Sequence, residues 1–287
     1  MLQGAARQAE ACARRLRLPM RSRVWRGAAG ELAGAGVGAS MDFQDHRPYF
    51  PGDDPRHINW QAYARTGHYT MKLYREEVRP TVDLLWDVSP SMFLDEEKSV
   101  RAVELMHFTF ECARRATAAL GVCLLNGQAS VRLDPALVAT HRWPEHRPGA
   151  AGEATRAPDL GGLHLRPRGL RVLVSDLLFP GDPAPILRAL DRGHGTTIVL
   201  CPFSNTEAAP DWSGSCEFLD VESERREARQ VDEGVLRRYR AAYEAHFRLW
   251  KEQAQRFHIP LARIPASGSL EAALTAGALP VEALETY

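Results

Sequence analysis

The sequence predicts an α/β protein whose centre is a doubly wound, mostly parallel sheet of Rossmann-type topology. Three observations carry that expectation. Four short runs, 81–88 (TVDLLWDV), 121–126 (GVCLLN), 171–180 (RVLVSDLLFP) and 196–203 (TTIVLCPF), are almost continuously apolar, as strands buried on both faces are. Helical patterns separate them, and strands alternating with helices mean a parallel sheet covered on both sides. Finally, 287 residues with 45% hydrophobic and 25% charged side chains can build a large core.

The elements follow in order. Residues 5–18 read as a short basic helix carrying Arg7, Arg14, Arg15 and Arg17, closed by Pro19. The Gly/Ala-rich stretch 27–40 predicts a flexible loop or a close backbone approach. It is not a phosphate-binding fingerprint, because no buried strand precedes it and no helix follows. In the block RPYFPGDDPRHINW, Pro51-Gly52 suits the centre of a type II turn, and Asp54-Pro55 suits a cap followed by a first helical residue. A strand is expected at 71–78 and the first core strand at 81–88. From Asp95 a helix presents Val100, Val103, Leu105, Met106, Phe108, Phe110 and Cys112 on one broad face, with Gly121 as its stop. The stretch 134–169 reads as irregular. Beyond it come a strand at 171–180, a helix at 183–190, a strand at 196–203, a short strand at 216–221, and a helix at 232–257 anchored by Tyr239, Tyr243, Phe247 and Trp250. A last strand at 259–264 and a helix capped by Ser269 complete the pattern. The expected division is an N-terminal helix and β extension at 1–80, then the α/β domain at 81–287.

Composition excludes several function classes. Lys and Arg number 36 and Asp and Glu number 36, so binding of nucleic acid through bulk positive charge is not expected. The five scattered cysteines form no C-x-x-C pair, which fits a reducing cytosol better than a disulfide framework. The longest uncharged stretch, 116–131, is too short and too polar to span a bilayer. No apolar core follows the N-terminal arginines, so a secretory signal is not expected. These features together predict a cytoplasmic protein.

Ligands of doubly wound sheets sit outside the carboxyl ends of the strands, so the strand exits carry the chemistry. The first core strand exits into Asp87-Val88-Ser89-Pro90-Ser91, and the 171–180 strand exits through Ser175-Asp176. One carboxylate and two hydroxyls from one exit, joined by a carboxylate from another, are hard oxygen donors suited to Mg2+ or Mn2+. The competing reading makes these residues ordinary helix caps and turn formers.

Asp-x-Ser-x-Ser with a later strand-terminal Asp resembles the metal-ion-dependent adhesion site of the von Willebrand factor A fold. Upstream, Phe43, RPYFPGDDPRHINWQAYARTG, Lys72, Glu76 and Glu77 resemble the signature block of the bacterial family called "domain of unknown function 58". The likeness covers most of residues 36–287. It implies a von Willebrand A-like domain, no established enzymatic activity, and work beside a MoxR-type AAA+ ATPase. It places the metal positions at Asp87, Ser89, Ser91 and Asp176. Thr155 is the nearest candidate for the threonine that the fold supplies from an intervening loop.

The charged block admits two readings. Arg47, Asp53, Asp54, Arg56, Arg65, Glu76 and Glu77, with Tyr49, Pro51, Gly52 and Trp60, form either an internal brace or a partner-docking surface. His46 and His57 lie near carboxylates in sequence without the spacing of a triad, and His107 reads as a packed or surface histidine. The leading expectation is a non-enzymatic interaction module in which a rim metal accepts an acidic group from a protein partner. No Walker A pattern is present, so the ATPase would be a separate protein. The alternatives are a metal-free scaffold and a metal-dependent phosphohydrolase, the latter disfavoured by Ser89 at the second position of the turn.

Overall fold

The computed structural model describes residues 2–20, 41–76, 79–149, 157–221 and 225–287. The chain forms two compact units, one from residues 1–20 with 80–287 and one from residues 21–79. The expected division set residues 1–80 against residues 81–287. The N-terminal helix, however, groups with the α/β unit and not with the 41–79 segment.

In the larger unit, helix α1 (Leu2–Cys12) buries Ala5, Ala9 and Cys12. It is shorter than the expected 5–18 helix, because Leu16–Arg17 leaves the helix to form strand β1, with Leu16 and Leu18 buried. The smaller unit contains β2 (Met41–Pro48), α2 (Trp60–Thr66) and β3 (Thr70–Glu76), with β2 and β3 antiparallel.

The central elements are β4 (Thr81–Asp87), α3 (Glu96–Arg115), β5 (Ala119–Asn126), β6 (Ala129–Leu133), α4 (Pro135–Ala139), β7 (Leu170–Val174), α5 (Ala184–Asp191), β8 (Thr196–Phe203) and α6 (Asn205–Ala208). The hairpin β9 (Gly214–Leu219) and β10 (Arg226–Val231), helix α7 (Glu233–Arg256), β11 (Leu261–Pro265), α8 (Leu270–Gly277) and β12 (Glu285–Thr286) follow. Six strands form one sheet in the order β11-β8-β7-β4-β5-β6, parallel except for β6. Chain order reverses direction between β4 and β7, so the switch point lies at their carboxyl ends.

Both faces are covered. Val82, Leu84, Trp86, Val172, Val174 and Leu200 pack with α1, α3 and α8. On the opposite face, Leu85, Leu173, Val199 and Cys201 pack with α5 and with Tyr243, Phe247 and Trp250 of α7. A two-residue alternation along each strand produces the two faces.

Three expectations change. Gly121 does not end a helix: α3 stops at Arg115, and Gly121 lies inside β5. The strand expected at 216–221 runs instead from Gly214 to Leu219 as β9, which among the described residues pairs with β10 outside the six-stranded sheet. The irregular stretch begins with a short ordered helix, α4, capped by Asp134, whose side chain accepts from the Ala136 N–H. Residues 27–40 lie outside the described residues.

Candidate functional site

Strand parity assembles the rim. In β4, Asp87 falls on the side of Leu85; in β7, the next residue on the side of Leu173 is Ser175. The two meet, and Ser175 Oγ donates to Asp87 Oδ2 at 2.6 Å. Asp87 Oδ1 accepts from the Ser89 backbone N–H at 2.9 Å. Ser89 begins a short 3-10 turn, Pro90–Phe93, which carries the Ser91 hydroxyl to 3.1 Å from the Ser89 hydroxyl. The sequence-expected Asp87, Ser89, Ser91 and Asp176 therefore gather at the switch point. Thr155 lies outside the described residues.

Asp176 takes the opposite parity, toward α3. Lys98 Nζ donates to its Oδ2 at 2.8 Å, and the Leu178 N–H donates to its Oδ1 at 3.1 Å. The same ammonium donates to Glu207 Oε1. Glu207 is fixed by a reciprocal capping box with Ser204 at the exit of β8. Lys98 has no solvent exposure.

Neither Lys98 nor Glu207 was singled out from the sequence, yet signals for both are there. Lys98 lies on the same helical stripe as Ala102, Leu105 and Thr109, all buried; a lysine on such a stripe needs an acidic partner. It also sits in a first helical turn, where the macrodipole disfavours cations. Glu207 closes the motif Ser-x-x-Glu immediately after a buried strand.

The charges shift one another. Burial, then the Asp176 carboxylate, pushes Asp87 up to about 6. Burial alone would lower Lys98, but Asp176 and Glu207 outweigh it and hold its value above the ordinary lysine range. Burial raises Glu207 against the opposing pull of Lys98.

A divalent ion fits one half of this donor set. Magnesium–oxygen bonds of about 2.0–2.1 Å put neighbouring octahedral ligands roughly 3 Å apart, close to the Ser89–Ser91 separation. The other half does not fit. Both Asp87 oxygens already accept hydrogen bonds, and Lys98 holds Asp176 and Glu207. Among the described residues, no group of three or more His, Cys, Asp and Glu side chains is arranged to hold a metal.

The 41–79 unit carries the charged block. Arg47 grips Asp53 with two bonds of 2.7 Å, and Asp53 Oδ2 also accepts from the Phe50 N–H. Pro51 and Gly52 occupy the turn closed by Asp53 N–H to Phe50 O, with Gly52 at φ 107°, as a type II turn requires. Asp54 caps the 3-10 turn Pro55–His57 and pairs with Arg56. These contacts make an internal brace. Trp60 opens α2 after its cap Asn59 and is 57% exposed. It stands edge-on to the stacked rings of Tyr63 and Tyr69, and Tyr69 also meets Tyr49. Arg65 is exposed in the last turn of α2. Glu76 ends β3 opposite Met41, and Glu77 lies outside the described residues.

Sheet and rim together define a doubly wound α/β protein with a buried carboxylate–lysine cluster at its switch point. The family model described as "Protein of unknown function DUF58" matches residues 45–253, and the chain belongs to that family. Over 207 residues it is 25% identical to the uncharacterized protein Rv1480 of Mycobacterium tuberculosis and to the uncharacterized protein Mb1516 of Mycobacterium bovis, covering 68% of this chain. The match spans 65% of the length of these relatives. The crystal structure of the conserved hypothetical protein BatB from Bacteroides thetaiotaomicron superposes with a TM-score of 0.29 and 10% identity, over 61% of this chain and 99% of that one. Among the described residues, no helix is long and apolar enough to cross a membrane.

Proposed function

We propose that the chain is a non-enzymatic interaction module of von Willebrand A type whose sheet rim receives an acidic group of a protein partner, with a MoxR-type AAA+ ATPase as the partner class that the family resemblance implies. The observation that carries this reading is the meeting of the β4 and β7 exits at the switch point, with the Ser89 and Ser91 hydroxyls side by side. The surroundings suit a partner. Arg147 donates to the Val88 carbonyl at 2.6 Å and lies 4.4 Å from the Phe93 ring centre, so a cation stands one residue from Ser89. Leu94 and Leu178, 51% and 39% exposed, each lie within three residues of a rim residue. Exposed apolar side chains beside a polar site are what a transient interface uses.

Catalysis by Asp87 has little support. A carboxylate nucleophile must reach its substrate, whereas Asp87 is buried with both oxygens engaged.

Titration of a purified MoxR-type ATPase against wild type, Arg147→Glu and Leu178→Glu tests the reading. Each variant should weaken binding by roughly tenfold or more, about 1.4 kcal/mol. Unchanged binding by both folded variants would remove the rim from the interface.

A further inference from the structure

We propose that the Lys98 ammonium is itself the cation of this rim, so that the site is assembled without a divalent ion. The inference concerns the same site as the interaction reading, but its test uses no partner, so the two can fail separately.

The argument begins with charge. The first core-strand exit and its neighbours bring Asp87, Asp176 and Glu207 toward one edge of the sheet, each of them buried. Buried carboxylates gathered this closely need a counter-charge, because desolvation and mutual repulsion both oppose ionisation. A bound ion is one solution. This chain carries another: Lys98 Nζ bonds to Asp176 and to Glu207 from the first turn of α3. The ammonium has three donors, and two are spent on carboxylates from different strand exits. It thus links the end of β7 to the end of β8, as an ion coordinated by both would.

The local framework holds Lys98 in place. The Asp95 side chain caps α3 by accepting from the Lys98 N–H at 2.7 Å, and Ala102 and Leu105 continue the buried stripe below it. The lysine therefore does not reach in from the surface by chance of rotamer; its backbone and stem are fixed by the helix that covers the sheet. A divalent ion sharing Asp176 would have to sit against a fixed ammonium. That repulsion is strong in a dry site.

Two measurements decide the matter. The first follows free Mn2+ by electron paramagnetic resonance as wild-type protein is added, together with the thermal midpoint in chelator and in excess magnesium. The proposal expects no loss of the free Mn2+ signal and no shift of the midpoint. Uptake of one equivalent of Mn2+ by wild type, abolished in Ser89→Ala, would overturn it. The second uses Lys98→Ala. Removing the ammonium leaves Asp176 and Glu207 uncompensated, so the midpoint should fall, and Mn2+ should restore part of the loss while now being taken up. A Lys98→Ala protein as stable as wild type in chelator would also overturn the proposal. The wild-type measurement stands even if the variant does not fold.

Discussion

Asp87 holds its charge against the fold. Its carboxyl is pushed from 3.8 to about 6, by burial first and by Asp176 second. As pH rises through this window, the unfolded chain releases its proton first. The native state then binds more protons, and stability falls with rising pH. The full difference converts to about 3 kcal/mol. His107 acts with the opposite sign. Burial, then His141, lowers it from 6.5 to about 4, so its contribution grows as pH rises. A single wild-type curve mixes the two, and the gap between wild type and Asp87→Asn isolates the first. Denaturant titrations should show the variant gaining on wild type by about 2 kcal/mol between about pH 4 and pH 6, and by about 3 kcal/mol over the wider span from about pH 3 to pH 7; a gap that stays constant would contradict the assignment. At this scale, Asp87, Ser89, Ser91 and Asp176 were legible because residues at strand exits inherit the parity of the strand. Lys98 and Glu207 come from a helix and a cap, elements whose placement over the rim depends on tertiary packing. The lysine's position on a buried stripe announced that a partner existed without saying which.

Among the elements, β4 shows how a polar residue survives in a buried strand. Asp83 interrupts an otherwise apolar run and lies on the face where no helix crosses from β5 to β7 among the described residues. Arg166, just before β7, covers it instead. The guanidinium bonds to Asp83 Oδ1 at 2.6 and 2.8 Å, to Val82 O and to Ala119 O, while the Arg166 N–H donates to Asp83 Oδ2. Gly121, paired with Asp83 across the strands, makes room: a Cβ there would stand 2.8 Å from both Asp83 Oδ1 and Arg166 Nη2. Gly121→Ala should therefore cost about 1–3 kcal/mol, as overpacking does. An unchanged denaturation midpoint would show that the network yields freely. The sequence marked the four buried strands, because short β-branched apolar runs between turn residues favour strands, but the run at 171–180 is strand only as far as Val174, beyond which the chain forms the rim loop. It hid β6, whose middle residues are exposed at the sheet edge, and it marked the strand at 216–221 without its partner. Strand pattern reports burial, and β9 alternates half-buried and exposed positions without saying which strand it pairs with.

At the scale of the whole molecule, the two units divide the labour differently from the sequence expectation. The N-terminal helix is part of the α/β unit: α1 packs into its core, and β1 pairs with β12 near the far end of the chain. The charged block of the 41–79 unit spends Arg47, Asp53, Asp54 and Arg56 on its own turns. The family match from 45 to 253 spans both units. The central claim is that the rim at the β4 and β7 exits is what the partner touches. Amide hydrogen exchange on the complex with a purified MoxR-type ATPase tests it most directly. The account predicts new protection at residues 88–94 and 176–178. Protection confined to the 41–79 unit, with the rim exchanging as in the free protein, would contradict it.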